Sequence, residues 1–180
     1  MFRRNFLKNS IIGSLSTSTI MSLTNKNNPI VKSVPRIIST WKHGVNANKI
    51  AWKKLNNGEG GLTAVEYGVR DSENDPNERS VGYGGLPDRE GKVTLDACIM
   101  DSNNDCGSVS FLENIKNPIS VARLVMEKTP HIMLSGKGAY DFAIENGFKS
   151  ENLLTEQSKK DWENWLKKSE YKPIINIENH

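Results

Sequence analysis

Two β-rich runs, Val93 to Met100 and Gly107 to Leu112, are separated by the polar stretch Asp101 to Asp105 and by Cys106. A connection that short joins antiparallel neighbours and cannot carry a crossover, so the two runs are read as paired strands across a turn. The flanking segments alternate between helical and extended patterns. From Asn46 to Leu55 the apolar residues Ala47, Ile50, Ala51 and Leu55 recur at three- and four-residue spacing, and Gly58 supplies a stop. A second helix follows Gly60-Gly61, with Leu62, Val65 and Val69 assigned to one face, and ends in the polar Asp71 to Asn77 loop around Pro76. Asn117 and Pro118 read as the N-cap and first turn of a helix from Pro118 to Lys128, with Ile119, Ala122 and Val125 or Met126 turned inward.

His131 to Leu134 reads as a short strand, and the helix opening at Gly136-Lys137-Gly138 stops at Gly147. Thr155 to Lys168 reads as a last helix, with Thr155 as N-cap, Glu156 in the first turn, Lys167 and Lys168 in the last, and Trp162 and Trp165 as its apolar edge. Arg36 to Trp41, preceded by Pro35, is read as a strand entering the core, and Ile174 to His180 is again extended. Strands alternating with helices of this length predict a layered α/β fold. With 180 residues, one domain and one core are expected.

The net charge of +3 comes from 24 basic and 21 acidic residues spread along the chain, which argues against nucleic acid as a partner. After residue 25 no apolar stretch approaches the roughly 20 residues that a bilayer span requires. Residues 1–25 read as an export leader. Arg3-Arg4-Asn5-Phe6-Leu7-Lys8 followed by the uncharged stretch Ser10 to Leu23 resembles a twin-arginine signal, cut between Ser18 and Asn27, which predicts a periplasmic location. The two cysteines, Cys98 and Cys106, leave a hairpin bridge and free thiols both open, with buried or free thiols favoured.

Most sites of familiar chemistry are excluded by context. His43, His131 and His180 lack the spacing of a metal site. Gly136-Lys137 lacks the upstream glycine and following hydroxyl of a phosphate loop, so it is read as a helix start. Gly82-Tyr83-Gly84 precedes a strand and not a helix, the wrong setting for a dinucleotide loop. Asp96 and Asp101 fall on opposite faces if both lie on one strand, and no serine occupies a nucleophile elbow. No self-contained catalytic constellation is visible, and Trp52, Trp162 and Trp165 are read as packing residues.

Several long runs nevertheless resemble one family in order. They are Ser39-Thr40-Trp41, the stretch Arg79 to Pro87, the stretch Gly91 to Asp101, Ile115 to Arg123, Thr129 to Leu134, Tyr171-Lys172-Pro173, and Ile177-Glu178-Asn179-His180. These resemble the glycosylasparaginases, amidohydrolases with an N-terminal nucleophile, over residues 29–180. The resemblance implies the α-subunit half of a four-layer αββα sandwich, made as a precursor that cuts itself between Asp and Thr directly after a His. The freed Thr of the β-subunit is the family's nucleophile and its α-amine the base, a pairing that activates a weak hydroxyl near neutral pH. The implied reaction hydrolyses the amide between N-acetylglucosamine and the asparagine side chain. It needs no cofactor.

On this resemblance His180 matches the His before the cut, and the nucleophile is expected after the C-terminus, so no catalytic residue is assigned to this chain. Trp41 matches a tryptophan of the substrate pocket, where an indole face walls the aspartyl group. Bacterial members usually carry Phe at the position of His43, so this residue changes the polarity of the expected pocket wall. The implied partner is a β-subunit in an (αβ)2 assembly. With Met1 and the leader in place, a translation product that stops before the cut is expected. An asparaginase or isoaspartyl peptidase of the same fold is the neighbouring reading. A non-catalytic remnant, exposing sheet edges and an apolar face that a β-subunit would cover, is the other.

Overall fold

Helix α1 (Gly44–Asn56) and helix α2 (Gly61–Asn74) precede the hairpin, as the periodicity predicts, and pack against each other. The computed structural model describes residues 34–168. Contacts divide the chain into Met1–Arg36 and Ile37–His180, and all the helices and strands lie in the second unit among the described residues. Leu62 and Val69 of α2 pack against the core as expected, but Val65 is 50% exposed. Ala64, Gly68 and Ser72 are buried instead. Their small side chains let the helices touch: a Cβ on Gly68 would stand 2.8 Å from the carbonyl oxygen of Ala47. Close packing along a small-residue stripe outweighs burial of one valine, which turns Val65 outward.

Strand β1 (Thr94–Met100) pairs antiparallel with strand β2 (Cys106–Glu113), with Met100 opposite Cys106 and Cys98 opposite Ser108. Asp101 closes the turn, its carboxylate accepting the N–H groups of Asn103 and Asp105. Both thiols are free, one of the two states favoured over a bridge; Cys98 and Cys106 do not face each other, and Cys98 is exposed. Helix α3 (Pro118–Lys128) returns the chain to strand β3 (Met133–Ser135), parallel to β2, so the order is β1-β2-β3. β3 starts two residues later than expected: His131 is exposed outside it, and Ile132 accepts the Ser108 hydroxyl through its carbonyl. Helix α4 (Gly136–Glu145) follows directly and helix α5 (Glu156–Lys168) comes last.

A β-bulge interrupts the hairpin. Leu95 faces Leu112 and Ala97 faces Val109, so β2 spends one residue more than β1 between those pairs. In a regular strand, residues three apart point to opposite faces; here Val109 and Leu112 are 1% and 0% exposed in one core. Phe111 takes up the excess at φ 51°, and its N–H is satisfied by the Asp96 carboxylate at 2.8 Å. That core joins Ile99, Val109 and Leu112 to Val121 and Val125 of α3 and to Ala139 and Ala143 of α4. The helices thus cover one face of the sheet. On the other, Met100 and Met133 are 60% and 57% exposed; Phe111, 51% exposed at the bulge, lies near the start of α4, where a Cβ on Gly136 would stand 4.0 Å from its ring.

Two expectations fail. Residues 36–41 form no strand, with Ile38 90% exposed, because no strand among the described residues runs beside them. Trp52 and Trp165 are 41% and 47% exposed and so are not core packing residues. Trp162 does pack, its ring against Gly91, where a Cβ would meet it at 2.9 Å. Residues 174–180, including His180, lie outside the described residues. The Thr155 hydroxyl caps α5 through the Ser158 N–H at 3.2 Å, as predicted.

Candidate functional site

The segment leading into α1 places Trp41 and His43 on one tight turn. The Gly44 N–H donates to the Trp41 carbonyl at 2.9 Å, and the Asn46 N–H donates to that of His43 at 3.0 Å. Ser39 lies over Gly44 so closely that a Cβ there would sit 2.2 Å from the Ser39 Cβ, and its hydroxyl donates to Asn48. Trp41 is 74% exposed. His43 stands at the N-cap position without capping the helix; its Nδ1 contacts the Glu78 carboxylate at 2.8 Å. The two residues assigned to a pocket wall are therefore neighbours on an exposed turn, one free at its indole and one engaged by an acid.

A second cluster lies beneath the glycine-rich loop. Glu66 and Glu73 project from α2 into the seam against α3 and are 8% and 2% exposed. Glu66 accepts the Ser120 hydroxyl and the Arg123 guanidinium, the latter at 2.8 Å. Burial lowers the Arg123 pKa, and its hydrogen bonds to Glu127 and Glu66 raise it by more, so the guanidinium stays charged. Glu73 accepts the Ile119 N–H at 3.0 Å and the Asn117 side-chain amide at 3.1 Å.

The expected cap of α3 is thereby corrected. Asn117 makes no side-chain cap; Glu73 satisfies one of the first free N–H groups of α3 from a neighbouring helix. Burial pushes the Glu73 carboxyl up to about 7; the Asn117 and Ile119 hydrogen bonds and nearby Arg70 pull it down, and Glu66 adds a small rise. The Glu73 carbonyl also takes the Tyr83 N–H at 2.8 Å, which clamps the glycine loop to α2. Gly82 at φ 55° is required there, since a Cβ would stand 2.0 Å from that carbonyl oxygen. A cavity of about 340 Å³ opens beside the clamp, lined by Glu73, Ser80, Gly82, Asp96 and Cys98 among others.

Sequence reasoning missed Glu66 and Glu73, although a signal existed. Leu62, Glu66, Val69 and Glu73 recur at the spacing of one helical stripe, so the two acids share the face of residues that pack on the core. Asp96 and Asp101 hold a bulge and a turn and do not act as a pair. Among the described residues no group of His, Cys, Asp and Glu is placed to hold a metal ion, and no helix is long and apolar enough to cross a membrane.

Helices on one face of a small mixed sheet, whose other face is uncovered among the described residues, define an α/β protein. The family described as asparaginase matches residues 24–179. The N(4)-(β-N-acetylglucosaminyl)-L-asparaginase of Elizabethkingia miricola is 56% identical over 182 aligned positions, which cover 99% of this chain and 54% of that protein. The rat (Rattus norvegicus) protein of the same name is 41% identical over 78% of this chain and 42% of its own length. A Drosophila grimshawi protein given that name provisionally is 41% identical over 92% of this chain and 42% of its own. The chain belongs to the asparaginase family, and spans about half the length of the curated relatives it matches.

Proposed function

We propose that this chain is the α-portion of an amidohydrolase that cleaves the bond between N-acetylglucosamine and the asparagine side chain, with the Thr nucleophile on a β-portion. The reading rests on the 56% identity that extends over 99% of the chain to a relative of that name. The bare sheet face supports it physically. Met100 and Met133 are more than half exposed there, apolar surface that a second sheet would bury in completing a four-layer αββα sandwich. In this reading residues 29–180 are the α-like region and residues 1–25 a twin-arginine-like leader directing the protein to the periplasm. Trp41 walls the substrate beside the β-subunit Thr, His43 stands next to it, His180 precedes the cut, and two αβ units pair.

The test is to express the coding region with whatever follows His180, determine the masses and N-terminal sequences of the products, and assay N4-(β-N-acetylglucosaminyl)-asparagine. A second fragment beginning with Thr, and release of aspartate only when both fragments are present, is the expected result. A product that is never cut and releases nothing would leave a non-catalytic remnant. Preference for asparagine or isoaspartyl peptides over the glycosylated substrate would move the assignment to the neighbouring branch of the fold.

A further inference from the structure

His43 is held by a post that is fixed without it. The Glu78 N–H donates to the Asp75 carbonyl at 3.0 Å, and the Asp75 carboxylate accepts both the N–H and the side-chain amide of Asn77 at 2.9 Å. The next residue, Arg79, pairs through its guanidinium with Asp161 of α5, and its carbonyl accepts the Leu86 N–H at 2.8 Å. The 75–79 loop is therefore tied to itself, to α5 and to the glycine loop. Glu78 presents its carboxylate from this support to His43 Nδ1, with both side chains partly buried.

Among the described residues Trp41 has no comparable anchor of its own. Its indole is 74% exposed, so burial does not fix it, and its carbonyl is bonded only within the turn that His43 belongs to. We propose that His43 is a positioning residue, whose contact with Glu78 fixes the turn and thereby the direction in which Trp41 faces the substrate. This rests on the reading of Trp41 as a wall of the substrate pocket, and it replaces the role of His43 as a wall in its own right. The 2.8 Å contact between His43 Nδ1 and the Glu78 carboxylate joins the turn to the 75–79 loop, a tie that an apolar side chain at this position would not make. Misplacing a wall of the pocket weakens substrate binding and leaves the reacting groups untouched.

The experiment has two arms, applied to His43→Ala, Glu78→Ala and His43→Asn, the last keeping an N–H donor where Nδ1 stands. In the enzyme carrying both portions, KM for N4-(β-N-acetylglucosaminyl)-asparagine is expected to rise about tenfold in the two alanine variants with kcat retained. His43→Asn is expected to restore KM. In this chain labelled with 5-fluorotryptophan, the Trp41 resonance, assigned through Trp41→Phe, is expected to move in both alanine variants and return in His43→Asn. The Trp52, Trp162 and Trp165 resonances stay in place as the record of folding. An unmoved Trp41 resonance or an unchanged KM would overturn the proposal, and so would His43→Asn behaving like His43→Ala, since the ring itself would then touch substrate. The fluorine arm needs no β-portion, so an unmodified enzyme without hydrolase activity would sink the functional reading while Trp41 still decided the latch.

Discussion

The α2–α3 seam and the turn at Trp41 sit at opposite ends of a scale of completeness. In the seam, two buried carboxylates find every partner within the chain: Ser120 and Arg123 for Glu66, Ile119 and Asn117 for Glu73. At the turn and on the bare sheet face, large apolar groups lie open: Trp41, Met100 and Met133 are all more than half exposed. Buried polar groups are costly unless they are satisfied, whereas exposed apolar groups cost little until a partner covers them. The seam is satisfied within this chain, whereas the open side leaves large apolar groups exposed.

The contrast is sharpest at Gly82. Replacing it with Ala drives a Cβ into the Glu73 carbonyl in a backbone conformation that L residues avoid, and a loss of about 4 kcal/mol or more in denaturant unfolding is expected. Gly58, at φ 83° with nothing within 4 Å, separates conformation from collision: Gly58→Ala should cost about 1 kcal/mol. Equal losses at the two sites would mean that the loop gives way and the clamp is not rigid.

Next in size is the titration of Glu73. Its carboxyl is raised from 4.5 to about 7 on folding, so the folded chain holds that proton more tightly. The contribution is fully present below pH 4.5 and is lost as pH rises through about 7, by about 3 kcal/mol in all. Unfolding measured from pH 4 to pH 8 should show this decline in the native sequence, and Glu73→Gln should flatten it. A native sequence whose stability rises across that range would show that hydrogen bonds at the start of α3 outweigh burial.

The smallest expected effect lies on the bare face. Met133→Ser should change the stability of this chain by less than about 0.5 kcal/mol. Leu112→Ala, on the covered face of the same sheet, should cost about 3 kcal/mol. Comparable losses would mean that the described residues already bury Met133, and the division into a finished and an unfinished side would fail.

The fold was legible where local chemistry decided it. The hairpin across Asp101 to Asp105, the α3 start at Asn117-Pro118 and the Thr155 cap all follow from residue types at fixed offsets. It was illegible where the answer lay between elements. Val65 faces out because Gly68 lets α1 approach, and Asn117 fails to cap because Glu73 arrives from α2. Residues 36–41 have the composition of a strand and lack a neighbouring strand among the described residues. For the site, sequence placed Trp41 and His43 together, while the Glu78 contact across 35 positions had no local mark.

The bulge in β2 has a consequence for chain length. Because Ser110 and Phe111 together oppose one residue of β1, the odd-even alternation of the strand is reset partway along. Deleting a single residue there would not simply shorten the strand. It would swing Leu112 out of the helical layer onto the bare face, or force Val109 there in its place. The number of residues between the hairpin turn and Asn114 is thus under as strict a constraint as their chemistry, and insertions or deletions should be tolerated in the Asp101 to Asp105 turn before they are tolerated in the strand.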